Sequence, residues 1–161
     1  MNLIRRETAY FQTPGKQNTE ALLRFVKAYA KANGIKDIVV ASTTGKTGVK
    51  ASRLFKGLNL VVVTHFVGFK ELGISEFNEE NRKQILKSGA RIHTATHALS
   101  SAERAVRGKF GTIMPLEIIA NTLRLFGEGT KVCVEIALMA ADAGLIPVDR
   151  DVVTIAGSGR G

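Results

Sequence analysis

Cysteine is almost absent from this chain: its 161 residues include one, Cys133. A lone thiol excludes an internal disulfide, and beside only three histidines it leaves no ligand set for a structural zinc site. Long apolar runs are missing too. The stretches at 58–63 and 132–141 fall well short of the ~18 residues that a membrane-spanning helix needs. The opening Met1-Asn2-Leu3-Ile4-Arg5-Arg6-Glu7 has no hydrophobic signal region. A soluble, cytoplasmic protein with no membrane partner is therefore expected. Proline occurs three times, and no low-complexity segment, linker or internal repeat interrupts the chain, so a single domain over 1–161 is expected.

What is present is an ordinary core composition and an unusual charge. Hydrophobic residues make up 45%, enough for a core without staples at this length. Twenty-three Lys and Arg against 14 Asp and Glu leave +9. Such an excess suits nucleic acid, a membrane surface or small anionic ligands. The basic residues are scattered singly, as at Arg24, Lys27, Lys31, Arg82, Lys83 and Lys87, and few rings accompany them. Scattered charge reads as a solvated surface before it reads as a nucleic-acid footprint, so nucleic acid ranks last among the partners.

Short β-rich runs alternate with helical stretches, the pattern of an α/β fold with a mainly parallel sheet. A first strand is predicted at Thr8–Gln12, ended by Pro14-Gly15. Asn18 or Thr19 should cap a helix with Glu20 in its first turn, and Asn33-Gly34 should stop it. Strands follow at Ile38–Ala41, Leu58–Thr64, Arg91–Ala95 and Asp151–Ala156. Helices are predicted at about Thr47–Phe55, Asn78–Ser88, Ser100–Arg107, Pro115–Phe126 and Thr130–Ala143. The last is apolar nearly all round, which places it in the core, with Cys133 buried and inert on it.

Four features fall just beyond predicted strand ends, the edge where ligands bind in open α/β sheets. They are Pro14-Gly15-Lys16-Gln17-Asn18-Thr19, Ser42-Thr43-Thr44-Gly45-Lys46-Thr47-Gly48, Thr64-His65, and Gly157-Ser158-Gly159-Arg160-Gly161. His97 belongs to the same edge. The segment 42–48 is the most informative. Glycine permits close backbone approach, a helix N-terminus offers N–H groups, hydroxyls add donors and Lys46 supplies countercharge. Those are the parts of a phosphate cradle, though a hydroxyl-rich turn that simply caps a helix has the same composition. It is not a Walker A loop, because Val40 stands where that motif needs glycine. Arg160 can fork onto a phosphate, and Lys16 with Asn18 and Thr19 forms a further basic turn. His65 and His97 are candidate acid–base groups, or loop histidines held by hydrogen bonds. Glu135 interrupts an apolar helix, so it either pairs with a cation or faces the crevice.

The run Asp37-Ile38-Val39-Val40-Ala41-Ser42-Thr43-Thr44-Gly45-Lys46-Thr47, followed by a helix and Leu60-Val61-Val62-Val63-Thr64, resembles the C-terminal domain of pyruvate kinase. There a hydroxyl-rich Gly-Arg-Ser loop receives a phosphate of a sugar bisphosphate effector, and Lys46 stands where that family often has arginine. The Gly-rich loop after Val152-Val153-Thr154-Ile155 resembles the second effector loop. Over essentially the whole chain the sequence is similar to a family of mostly archaeal stand-alone proteins carrying this domain. Pro14-Gly15-Lys16-Gln17-Asn18-Thr19-Glu20, Thr96-His97-Ala98-Leu99-Ser100 and Lys131-Val132-Cys133-Val134-Glu135-Ile136-Ala137 carry that similarity.

The resemblance implies a three-layer α/β/α sandwich with a phosphate site at the carboxyl edge of the sheet. It does not imply pyruvate kinase catalysis, which belongs to a barrel domain that this chain does not resemble. Family members continue past the last Gly-rich loop, so a truncation after Gly161 is expected. The function expected is binding of a phosphorylated small molecule, a sugar phosphate or a mononucleotide such as FMN. An enzyme acting on such a metabolite, with His65, His97 and Glu135 as its candidates, is the alternative. A homo-oligomer is compatible with either.

Overall fold

A computed structural model of the chain describes residues 8–158. The expected phosphate contacts of Gly159 and Arg160 lie outside the described residues. Ten elements alternate along the rest: α1 (Asn18–Ala32), β1 (Asp37–Ala41), α2 (Lys46–Leu54), β2 (Asn59–Thr64), α3 (Glu79–Lys87), β3 (Arg91–Thr94), α4 (Ser101–Phe110), α5 (Pro115–Arg124), α6 (Glu128–Asp142) and β4 (Val153–Ile155). The strands form one parallel sheet in the order β3-β2-β1-β4.

β1 and β2 are runs of branched and aliphatic side chains because both of their faces are covered. The two-residue period sorts them. Ile38, Val40, Leu60 and Val62 point to one side, where they meet Leu23, Val26 and Ala30 of α1, Val49 and Ala51 of α2, and Ile85 of α3. Val39, Val61 and Val63 point to the other, onto Ile136, Met139 and Ala140 of α6, and α5 lies against α6. The result is a three-layer α/β/α sandwich, as expected.

The amino edge of the sheet is closed by a polar clamp. Buried Asp37 accepts hydrogen bonds from Asn59 Nδ2 at 2.6 Å and from Arg150 Nε at 3.1 Å. The Asn59 amide also donates to the Leu145 carbonyl at 3.0 Å. Arg91 donates to that carbonyl and to Asn59 Oδ1. One cluster thus ties β1, β2, β3 and the turn after α6 together.

Three expectations are corrected. Thr8–Gln12 is not a strand: the segment is exposed, and no sheet strand pairs with it. Tyr10 and Phe11 favour extended backbone locally, but a strand also needs an edge to join. The cap of α1 is neither Asn18 nor Thr19, since the helix starts at Asn18 after Gln17, with no side-chain cap. Asn18 Nδ2 instead donates to the Thr13 carbonyl at 2.6 Å, closing the Pro14-Gly15 turn. Finally, α6 is not engulfed by the core. It covers one face of the sheet, with Val134 and Leu138 turned outward. Cys133 is accordingly half-buried rather than buried. Burial pushes its thiol above the ordinary value, against weaker opposing hydrogen bonds from Thr154 and Ala156. Among the described residues no helix is long and apolar enough to cross a membrane.

Candidate functional site

Parallel strands bring all their carboxyl ends to one edge, and the helices that follow them start there. A groove of about 1570 Å³ opens along this edge. It gathers the separate sequence features. Lys16, Asn18 and Thr19 come from the start of α1; Ser42, Thr43, Thr44, Lys46 and Thr47 from the β1–α2 turn. His65 follows β2, His97 follows β3, Gly157 and Ser158 follow β4, and Glu135 reaches in from α6. Gly15 and Gly45 belong to these turns without lining the groove.

The β1–α2 turn is rigid for reasons that its residues supply. Gly45 sits at the N-cap of α2 with φ 89°, and a Cβ there would lie 2.7 Å from Asn81 Cβ. Only glycine fits. Ser42 Oγ accepts the Gly48 N–H at 3.1 Å, so this hydroxyl shapes the turn from inside. The Thr44 carbonyl accepts from the Asn78 N–H at 3.2 Å and from Asn81 Nδ2 at 2.9 Å, which anchors the turn to the start of α3. With Gly48 satisfied, the Lys46 and Thr47 N–H groups remain at the first turn of α2, where no intrahelical acceptor exists.

His65 is held from both ring nitrogens. Nδ1 lies 2.8 Å from Glu76 Oε2, and Nε2 lies 3.4 Å from Thr43 Oγ1. A carboxylate only accepts, so in the neutral ring Nδ1 carries the proton and the Thr43 hydroxyl donates to Nε2. The ring stacks on Phe69 with centroids 4.0 Å apart and meets His97 at 5.4 Å.

His97 titrates below its ordinary value of 6.5. Burial is the largest cause; the Glu135 carboxylate opposes it, while His65, Lys131 and Arg104 reinforce it. The unfolded chain, whose histidine keeps the ordinary value, therefore binds a proton first as pH falls below 6.5. The stability that neutral His97 contributes is complete above that value and is lost on its acid side. In thermal melts on the acid side of 6.5, wild type should lose stability with falling pH more steeply than His97→Asn. Parallel slopes would refute this.

Glu135 both pairs with a cation and faces the groove. Lys131 and Glu135 are 5% and 3% exposed. Lys131 Nζ lies 2.5 Å from Glu135 Oε2, and Oε1 accepts the Leu99 N–H at 3.0 Å. Glu135 hydrogen-bonds to neither histidine. The carboxylate in contact with His65 is Glu76, and Glu135 acts on His97 only through its charge.

The ion pairs along the groove leave a surplus of positive charge. Lys50 pairs with Glu20 at 2.9 Å, Arg124 with Glu128 at 2.7 Å, Arg107 with Glu117, and Lys131 with Glu135. Glu103 accepts the Leu116 N–H at 2.7 Å. Among the described residues Lys16, Lys46 and Arg104 line the groove without an ion-pair partner, and Arg104 lies 4.8 Å over the Phe69 ring. Sequence reasoning missed Glu76, Phe69 and Arg104. The first two lie in the irregular connection between β2 and α3, where no periodicity points to them.

Fold and edge together define a parallel three-layer α/β domain whose strand ends open onto a charged groove. Residues 20–161 match the model of the family described as pyruvate kinase, alpha/beta domain, and the chain belongs to that family.

Proposed function

We propose that this chain binds a phosphorylated small molecule, a sugar phosphate or a mononucleotide such as FMN, along the carboxyl edge of its sheet. The observation that carries the reading is the set of groove cations, Lys16, Lys46 and Arg104, that have no ion-pair partner among the described residues. The phosphate would sit on the Thr43–Thr47 turn, taking the N–H groups of Lys46 and Thr47, the threonine hydroxyls and the Lys46 ammonium. The cluster of Phe69, His65 and His97 lines the groove beside that turn and would meet the rest of the ligand.

Lys46→Ala should weaken binding about tenfold or more, the value of one charge-assisted hydrogen bond at a helix start. Arg24 and Lys83 are exposed on helix faces away from the groove, and their alanine variants should change little. Calorimetric titration of all three variants with sugar phosphates and mononucleotides at fixed ionic strength decides. Equal small losses would mean that the +9 acts as a diffuse field, and would move nucleic acid ahead of the phosphate pocket.

One observation favours an enzyme as the second reading: His65 has the Glu76 carboxylate on Nδ1 and the Thr43 hydroxyl on Nε2, so a carboxylate–imidazole–hydroxyl relay of the general-base kind lies on the groove. Turnover of a bound phosphate ester, abolished in His65→Ala, would establish it.

A further inference from the structure

We propose that His65 is a phosphoryl acceptor, its Nε2 forming a covalent bond to phosphorus at the mouth of the β1–α2 turn. The proposal rests on the ligand reading above, because it takes the groove as the place where phosphate groups sit.

The proton position comes first. An imidazole is nucleophilic only at its unprotonated nitrogen. Glu76 Oε2, 2.8 Å from Nδ1, keeps the proton there and leaves the lone pair on Nε2. Glu76 is thus a positioning residue. The placement comes second. Nε2 is 3.4 Å from Thr43 Oγ1, in the turn that leads into the first N–H groups of α2. The dianionic charge of a phosphoryl group is favoured at such a helix start, and Lys46 and Arg104 stand on the same groove without ion-pair partners among the described residues. The third observation is rigidity. Phe69 and His97 both pack against the ring, with centroids 4.0 and 5.4 Å away, and together with the Glu76 contact they fix its orientation. Only the Thr43 hydroxyl has to turn away from Nε2 when phosphorus approaches.

The donor class is an acyl phosphate, a mixed carboxylic–phosphoric anhydride. The Nε2 lone pair attacks phosphorus; the N–P bond forms as the P–O bond to the acyl group breaks, and that electron pair departs on the carboxylate. The Nδ1 proton stays shared with Glu76, whose negative charge offsets the phosphoimidazolium. Discharge to water reverses the electron flow. The water oxygen bonds to phosphorus, the N–P pair returns to Nε2, and both water hydrogens leave on dihydrogen phosphate.

The test incubates the whole chain with acetyl phosphate and measures its intact mass. A gain of about 80 Da is expected, lost in acid, kept in alkali, and mapped to His65. His65→Asn should abolish it and His93→Asn, a change outside the groove, should not. Glu76→Gln should slow its formation roughly tenfold. In nitrogen NMR the same variant should move the His65 proton off Nδ1, which a merely structural contact would not do. An acid-stable adduct on Thr43 would overturn the proposal. So would no adduct in a protein whose melting temperature still rises with inorganic phosphate, and that outcome would leave the ligand reading standing. Neither adduct nor phosphate binding would remove both.

Discussion

Replacing Glu135 with alanine is expected to destabilise the protein by about 3–5 kcal/mol, the cost of stranding one partner of a buried ion pair. Lys131, 5% exposed, would be left buried without a counterion, and the Leu99 N–H would lose its acceptor. At ~2–4 °C per kcal/mol for a chain of this size, the melting temperature should fall by on the order of 10 °C. The double variant Lys131→Met, Glu135→Leu should recover most of that loss, because desolvation offsets much of what a buried pair contributes. A single variant that melts with wild type would show that water reaches the pair.

Phe55→Ala is expected to cost about 3–5 kcal/mol as well, by a different route. The ring, 2% exposed, closes the C-terminal end of α2 and packs in the cluster formed by α1, α2, α3 and one sheet face. Close-packed neighbours on a rigid parallel sheet collapse poorly into such a hole. Urea unfolding should show a lower midpoint at unchanged slope. A loss below about 1 kcal/mol would mean that the layers slide to refill the space.

These two sites also mark how far the sequence was legible. β1 and β2 could be read within a residue because doubly covered strands are nearly all Val, Leu and Ile, and chemistry dictates that composition. The β1–α2 turn was legible as a turn, because hydroxyls and glycine gather where a buried strand gives way to a helix; its composition alone did not separate a phosphate cradle from a simple cap. Thr8–Gln12 misled because strand propensity is local while pairing is not. For α6 the apolar count concealed the geometry. Lys131 and Glu135 lie on its buried face while Val134 and Leu138 look outward. Their four-residue spacing, which sets two opposite charges on one helix face, was the available signal. Glu76 had none. It reaches His65 across eleven positions of irregular backbone, where only tertiary packing decides which side chains meet.

The clamp of Asp37, Asn59, Arg91, Arg150 and the Leu145 carbonyl has a consequence for engineering. It fastens three strands and the turn after α6 at the edge opposite the groove. The turns that line the groove contribute none of its hydrogen bonds. Loop grafts at the carboxyl edge therefore leave the fastening intact, and the chain has the makings of a scaffold in which recognition and robustness are tuned at separate poles.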